Sequence, residues 1–346
     1  MTEVWSLHIL TVRDSVGVDY LDEIHVIGGN CLKGSITVQG SKNTVLPIMA
    51  ASLLQREICV LRGCPRILDV CYMEEILHIL GVVTWWKGHD LYLDCSKVCG
   101  MEIASEYTGR MRCSVILLGA LLSRNQRGVI GYPGGCVIGK RPIDFHLDVL
   151  RAMGAEILDD GGMLIAKAKK LCGTTFRFPY PSVGATENAL MAAALASGTT
   201  KLLNCAREPE IVELCSFLRS MGAKISGERT GTITVDGVEK LFPTDHVTAG
   251  DRICAGTYLA AAAAAGGEIE ITGVDPVVLV EPLKALRKMG AGIRISGATG
   301  PKARIGMVME RRPAGVEIDT GPYPGFPTDL SLSFSPWRHG KRGEPV

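Results

Sequence analysis

The strongest constraint on the fold is an internal repeat, because one phrase occurs four times along the chain. The phrase is an amphipathic helix that ends at a glycine and is followed by a strand. Its copies are LDVCYMEEILHILGVVTWW, IDFHLDVLRAMGAEILDD, EIVELCSFLRSMGAKISG and VVLVEPLKALRKMGAGIRI. The helices are predicted to close with left-handed caps at Gly81, Gly154, Gly222 and Gly290, roughly 70 residues apart.

A second helix, rich in small residues, precedes each copy, as in VLPIMAASLL, MRCSVILLGALL, TENALMAAALA and GTYLAAAAAA. Small residues allow close packing, so these helices are predicted to be buried against sheets. β-rich phrases such as REICVLRG and GGEIEITGV follow them. The repeating unit is therefore βαβαββ, and the fold class is α/β.

The repeat pattern is absent at both ends of the chain. Residues 1–22 have neither the basic nor the apolar region of a secretory signal and are predicted to be a loose extension. A fifth unit starts at FPTDL, but residues 331–346 contain prolines and basic residues that do not continue it. We interpret this tail as the result of truncation or a frameshift, and the alternative is a natural tail after four repeats.

Composition excludes several classes of function. Lysine and arginine (37) nearly balance aspartate and glutamate (36), so no overall basic charge favours a nucleic-acid partner. No apolar run reaches the roughly 18 residues of a membrane span, which predicts a soluble protein. The 12 cysteines form no CxxC pair and no metal-binding spacing, so we expect free, mostly buried thiols in a reducing cytoplasm.

One cysteine lies in a setting typical of chemistry rather than packing. The phrase YPGGCVIGKRP at residues 132–142 combines glycines and prolines with Cys136, Lys140 and Arg141. Positive charge close to a thiol lowers its pKa and prepares it for nucleophilic or acid–base work. For Cys136 we therefore favour a functional role over packing.

Other candidates lie where the buried helices are predicted to start. Lys42 with Asn43, Arg112, and the turn at residues 182–186 could each hold a phosphate or carboxylate near free helix amides. The alternatives are a surface lysine, a solvated helix end and an ordinary capping turn. For other polar residues near helix starts we favour structural roles, with Asp144 as a cap, His146 as a half-buried surface residue, and charge pairs at Arg207-Glu208 and Asp251-Arg252.

Taken in order, the phrases GSKNTVLP, MRCS, PGGCVIGKRPIDFH, PSVGATEN, CAREPEIV, DRICAGTY and GPYPGFPTDL resemble the enolpyruvyl transferases that act on UDP-N-acetylglucosamine. The resemblance runs from about residue 23 to 330. It implies two inside-out α/β domains built from six repeats, with the active site in the cleft between them. The chain would comprise an extension (1–22), N-terminal strands of the second domain (23–41), a complete first domain (42–249), an incomplete second domain (250–330) and an aberrant tail (331–346).

The resemblance also implies roles for individual residues. Cys136 would donate a proton to the methylene carbon of phosphoenolpyruvate and be the target of fosfomycin, and Asp329 would accept the proton of the sugar's 3-hydroxyl. Lys42 and Arg141 would hold the phosphate, with Asn43 beside the sugar. The nucleotide-sugar site would be lined by Arg112, Arg141, Pro142, Ile143, Asp144, Phe145, Ser182 and Val183.

The implied reaction transfers the enolpyruvyl group by addition and elimination, the first committed step of peptidoglycan synthesis, and requires no metal or redox cofactor. The chain departs from the family pattern at Cys254, where many relatives have glutamate, and in lacking about a hundred final residues with their phosphate-binding arginines. We therefore expect little turnover from the chain as printed. The alternatives are a non-catalytic nucleotide-sugar-binding remnant, the shikimate-pathway enolpyruvyl transferase, and a structural repeat protein without a defined partner.

Overall fold

The computed structural model describes residues 29–134 and 143–335, together with the backbone of residues 7–13 and 19–26. The described residues form two compact units. The larger unit consists of residues 39–251 and 321–325, apart from the undescribed 135–142. The smaller unit consists of the described residues of 1–38, 252–320 and 326–346. Within each unit the buried apolar side chains form one continuous core.

Three four-stranded sheets belong to the larger unit, and burial alternates along their inner strands except β8, which gives the sheets a core face and an outer face. The first sheet contains, in spatial order, β15 (Asp245–Val247), β4 (Ile58–Arg62), β6 (Asp90–Asp94) and β5 (Val83–Lys87). The second contains β7 (Glu102–Ile103), β8 (Arg127–Gly131), β10 (Met163–Lys167) and β9 (Glu156–Asp160). The third contains β11 (Thr175–Arg177), β12 (Thr199–Leu203), β14 (Thr232–Asp236) and β13 (Lys224–Ser226).

Helices pack inside these sheets. They are α1 (Lys42–Ala51), α2 (Leu68–Ile79), α3 (Ser105–Thr108), α4 (Leu117–Asn125), α5 (Asp144–Ala152), α6 (Val183–Ala194) and α7 (Pro209–Ser220). The small-residue helices α1, α4 and α6 are buried along most of their length, and α6 packs against α4, α5 and α7. The prediction that small residues bring these helices into the core is confirmed.

The smaller unit repeats the same plan once. Its four-stranded sheet contains, in spatial order, β17 (Gly292–Ser296), β18 (Arg304–Met309), β16 (Gly267–Thr272) and β3 (Leu32–Thr37). Its helices are α8 (Arg252–Ala265), α9 (Val280–Lys288) and the short α10 (Ser331–Phe334). A separate antiparallel hairpin joins β1 (Leu7–Arg13) to β2 (Asp19–Val26).

The repeats exchange strands between the two units. In every four-stranded sheet an edge strand runs parallel to its neighbour and the other pairings are antiparallel. In two of the sheets the edge strand and its neighbour belong to the same repeat, since β7 pairs with β8 and β11 pairs with β12. In contrast, β3 at the start of the first repeat pairs with β16 of the fourth, and β15 of the fourth pairs with β4 of the first. The chain therefore passes between the units at residues 38–39 and again at 251–252.

The predicted glycine caps are confirmed, because Gly81, Gly154, Gly222 and Gly290 have φ angles of 96°, 96°, 103° and 105°. The structure adds a detail at each end of the chain. Part of the predicted loose extension forms the hairpin β1–β2. The tail also begins with α10, which forms because Phe334 is buried and its ring centroid lies 5.1 Å from that of Phe326.

The expectation of mostly buried cysteines holds only in part. Eleven cysteines lie among the described residues, and all eleven are free. Five are buried, four are exposed and two are intermediate. Among the residues with described structure, no helix has both the length and the apolar character needed to cross a bilayer.

Candidate functional site

The larger unit brings together the starts of its buried helices. Lys42 is the first residue of α1, and Arg112 begins the 3-10 helix Arg112–Ile116 that leads into α4. The pKa of Cys113 is raised to about 12, mainly by burial and further by the carboxyl groups of Glu187 and Asp69, while Lys42 opposes the rise. The starts of α1 and α2 lie side by side, since Lys42 Nζ is 3.9 Å from Asp69, and both α1 and α6 contact the 3-10 helix that begins at Arg112.

Lys42 presents its ammonium group to solvent at this point. Its side chain is 45% exposed, and its Nζ lies 3.9 Å from a carboxylate oxygen of Asp69. The Lys42 amide donates to Asp251 Oδ2 at 3.3 Å, so this helix N–H is already occupied. Any anion held here would therefore be bound by the lysine side chain rather than by the first amide of α1.

The start of α6 is fixed by hydroxyl groups. Ser182 is the N-cap, and its Oγ accepts a hydrogen bond from the Ala185 amide at 3.4 Å, as the capping interpretation predicts. Thr186 Oγ1 donates to the Ser182 carbonyl at 2.7 Å and accepts from the Ala206 amide at 3.2 Å. These contacts tie the turn that precedes α6 to the segment that leads into α7.

A buried hydrogen-bond network in the larger unit corrects the interpretation of His146. His146 is only 7% exposed, so it is not a half-buried surface residue. Its Nδ1 accepts from Asn188 Nδ2 at 3.2 Å, and Asn188 Oδ1 accepts from the Gly119 amide at 2.7 Å. Burial, with a smaller contribution from Arg112, lowers the pKa of His146 to about 3. The neutral imidazole therefore links α5 to α6 at physiological pH.

Asp144 is the first residue of α5 rather than its cap. The N-cap is Ile143, which is buried, and no side chain caps this helix. Asp144 is exposed and Phe145 is half-buried. Asp144 can therefore stabilise α5 only through its charge in the first turn.

Glu187 is a buried titratable group that is not among the residues predicted from the sequence. It lies in α6 and is 5% exposed. Burial, with smaller contributions from the carboxyl groups of Glu210 and Glu208, raises its pKa to about 8. Near neutral pH it is therefore predominantly a neutral carboxylic acid. A polar triplet, Thr186 to Asn188, inside an otherwise small and apolar helix was the available sequence signal.

The predicted site residues fall into three groups. Lys42, Asn43, Arg112, Ile143, Asp144, Phe145, Ser182 and Val183 all belong to the larger unit. Cys136, Arg141 and Pro142 lie outside the described residues. Asp329 belongs to the smaller unit, where it is exposed in the 3-10 helix Thr328–Leu330.

The chain is similar to known enzymes over most of its length. Residues 26–338 match the family model for EPSP synthase (3-phosphoshikimate 1-carboxyvinyltransferase). A UDP-N-acetylglucosamine 1-carboxyvinyltransferase 1 from Symbiobacterium thermophilum is 44% identical over 316 residues, covering 89% of this chain and 70% of the relative. A protein of the same name from Carboxydothermus hydrogenoformans is 45% identical over 310 residues, covering 90% and 72%.

Solved structures support the fold. The enolpyruvyl transferase NikO from Streptomyces tendae matches with a TM-score of 0.76 at 24% identity, over 90% of this chain and 74% of that one. An EPSP synthase from Acinetobacter baumannii matches with a TM-score of 0.65 at 20% identity, over 89% and 71%. The α/β architecture with repeated units is thus shared with enolpyruvyl transferases.

Proposed function

We propose that this chain, which belongs to the UDP-N-acetylglucosamine 1-carboxyvinyltransferase family, transfers the enolpyruvyl group of phosphoenolpyruvate to the 3-hydroxyl of UDP-N-acetylglucosamine and releases phosphate. The observation that carries the proposal is the identity of 44% over 89% of the chain with a relative of that name. Lys42 and Arg112 begin helices that contact each other, which supports an anion-binding role for this region. The reaction belongs to peptidoglycan synthesis.

In the proposed mechanism, Cys136 donates a proton to carbon 3 of phosphoenolpyruvate, which makes carbon 2 electrophilic. The sugar hydroxyl attacks carbon 2 while Asp329 accepts its proton. Phosphate then leaves from the tetrahedral intermediate as carbon 3 loses a proton and the double bond forms again. An acid, a base and cationic groups suffice for this sequence. Lys42 and Arg141 would hold the phosphate, and Asn43 would lie beside the sugar.

The environments of six other cysteines argue against a reactive role for those six thiols. Burial raises the pKa of Cys59, Cys64, Cys95, Cys113, Cys205 and Cys215, to values of about 11 or 12. These groups remain thiols at neutral pH and are poor nucleophiles. The glycine-rich sequence around Cys136, with Lys140 and Arg141 close along the chain, is the setting expected for an activated cysteine.

Residues Arg112, Pro142, Ile143, Asp144, Phe145, Ser182 and Val183 would line the nucleotide-sugar site in this proposal. Cytoplasmic location, roles in cell-wall biogenesis, cell shape and cell division, and alkylation of Cys136 by fosfomycin are further parts of the same proposal.

Phosphate release from phosphoenolpyruvate tests the proposal. We expect release only when UDP-N-acetylglucosamine is present, and loss of release in Cys136→Ser. Cys172→Ser is the control, because Cys172 is an exposed thiol of the larger unit to which the mechanism assigns no role. Release driven by shikimate 3-phosphate instead would show that the substrate is wrong. Binding of UDP-N-acetylglucosamine in calorimetry without any phosphate release would favour a non-catalytic binding protein.

A further inference from the structure

A second cationic region lies in the larger unit, in a cavity lined by none of the residues to which the proposed function assigns a role. Its volume is about 260 Å³, and it lies where β11 and β12 end and β14 begins. The charged lining residues are Arg177 and Arg207, and no carboxylate among the residues with described structure lines it. Asn204, Thr230, Thr232 and Tyr323 add side chains that can form hydrogen bonds.

The two guanidinium groups are available to a ligand. The sequence predicts an ion pair between Arg207 and Glu208, but neither Arg207 nor Arg177 forms an ion pair or side-chain hydrogen bond with any residue of the described ranges. Both arginines are exposed, so an anion can reach them from solvent. An arginine without a protein partner in a concave polar wall is suited to bind phosphate oxygens.

The backbone around Arg207 is held in place by local contacts. Asn204 adopts a left-handed φ of 56°, and its Nδ2 donates to the Phe178 carbonyl at 2.9 Å. The Cys205 amide donates to the Gly231 carbonyl at 2.8 Å. A Cβ on Gly231 would lie 3.6 Å from Cδ of Arg207, so the arginine stem runs beside this glycine.

The opposite wall is also fixed. The Tyr323 amide donates to Glu208 Oε1 at 3.3 Å, so Glu208 supports the wall through the backbone. Residues 321–325 belong to the same compact unit as the strands of the cavity. The walls therefore present a preformed set of donors.

We propose that this cavity binds a phosphate group, with Arg177 and Arg207 as its cationic ligands. Two sources have this chemistry: a free phosphate or pyrophosphate ion, and the diphosphate of a nucleotide. Pro181 in the cavity wall directly precedes Ser182, so a nucleotide bound at the start of α6 would lie nearby. The proposal concerns binding alone and does not depend on enolpyruvyl transfer.

Calorimetric titration with pyrophosphate at low ionic strength tests whether the cavity binds phosphate. The full chain should carry Lys42→Met, so that binding at the first anion site is weakened. We expect Arg207→Gln and Arg177→Gln each to weaken pyrophosphate binding about 10-fold or more, since each removes a charge-assisted contact. Arg229→Gln is the matched control, because it removes an equal charge next to Thr230 without lining the cavity. We expect it to change affinity less than about 2-fold.

Equal weakening by all three substitutions, or no saturable binding to the parent chain, would overturn the proposal. A competing titration with UDP identifies the source. If UDP displaces pyrophosphate and loses affinity in Arg207→Gln, the cavity takes the diphosphate of a nucleotide. If UDP and pyrophosphate bind together, it is a separate site for a small anion.

Discussion

Replacement of Glu187 by glutamine should stabilise the larger unit increasingly as pH rises. The group's pKa is raised from 4.5 to about 8 in the folded protein, chiefly by burial. Above pH 4.5 the unfolded chain releases this proton, whereas the folded chain keeps it up to about pH 8. Stability therefore falls as pH rises through this window, and a neutral glutamine does not lose stability in this way.

The size of the effect follows from the shift. One pKa unit corresponds to about 1.4 kcal/mol, so the whole shift corresponds to roughly 5 kcal/mol. Between pH 5 and pH 7.5, the advantage of Glu187→Gln over the parent should grow by about 3 kcal/mol. The carboxyl groups of Glu208 and Glu210 and the thiol of Cys113 are the titratable neighbours that interact with Glu187.

Urea unfolding at several pH values provides the assay. Trp85 and Trp86 lie in β5 of the larger unit and report its unfolding, provided that Trp5 and Trp337 are replaced by phenylalanine. Glu239→Gln is the control, because Glu239 is exposed in the same unit and should give a curve parallel to that of the parent. A Glu187→Gln curve that also ran parallel to the parent would refute the reasoning.

Three further predictions concern other residues of the larger unit. The pKa of His146 is lowered from 6.5 to about 3, so the free energy of unfolding should fall by at most about 1.4 kcal/mol per pH unit as pH drops below 6.5. In urea unfolding at several pH values, His146→Gln should remove this pH dependence, whereas the control His89→Gln, at an exposed histidine, should keep it. Lys42→Met should raise KM for phosphoenolpyruvate by about 10-fold or more in initial-rate assays and leave KM for UDP-N-acetylglucosamine nearly unchanged. Lys97 is an exposed lysine, and an equal rise in KM in Lys97→Met would contradict a phosphate contact at Lys42. Gly119→Ala should destabilise the unit by about 1–3 kcal/mol in urea, because the added methyl group would overlap the carbonyl and side-chain oxygens of Asn188; Gly321→Ala, with open space around it, should not.

The repeat architecture could be predicted from sequence because helix periodicity and a stop glycine recur in every unit. The positive φ angles at Gly81 and Gly290 show that even the cap geometry could be predicted. The exchange of β3 and β15 between the units could not be predicted from these patterns, because alternating polarity does not determine which strand is the partner.

The position of a cationic residue at a helix start could be predicted from sequence, whereas the role of that residue stays a prediction. A lysine or arginine at the start of a buried helix, as at Lys42 and Arg112, is such a case. The surroundings of Glu187 and His146 depend on contacts between residues far apart in sequence, such as His146 with Asn188, and single-sequence patterns do not contain them. Sequence patterns also do not show that Arg207 faces a cavity instead of pairing with Glu208.

Transfer of the three-carbon unit itself is the most direct test of the central claim. Phosphoenolpyruvate labelled with ¹³C at every carbon is incubated with UDP-N-acetylglucosamine and the chain, and the nucleotide sugar is analysed by mass spectrometry. We predict a UDP-sugar that carries the intact labelled carboxyvinyl group, formed in equal amount with phosphate and absent in Cys136→Ser. Phosphate without labelled sugar, or label on shikimate 3-phosphate instead, would contradict the account.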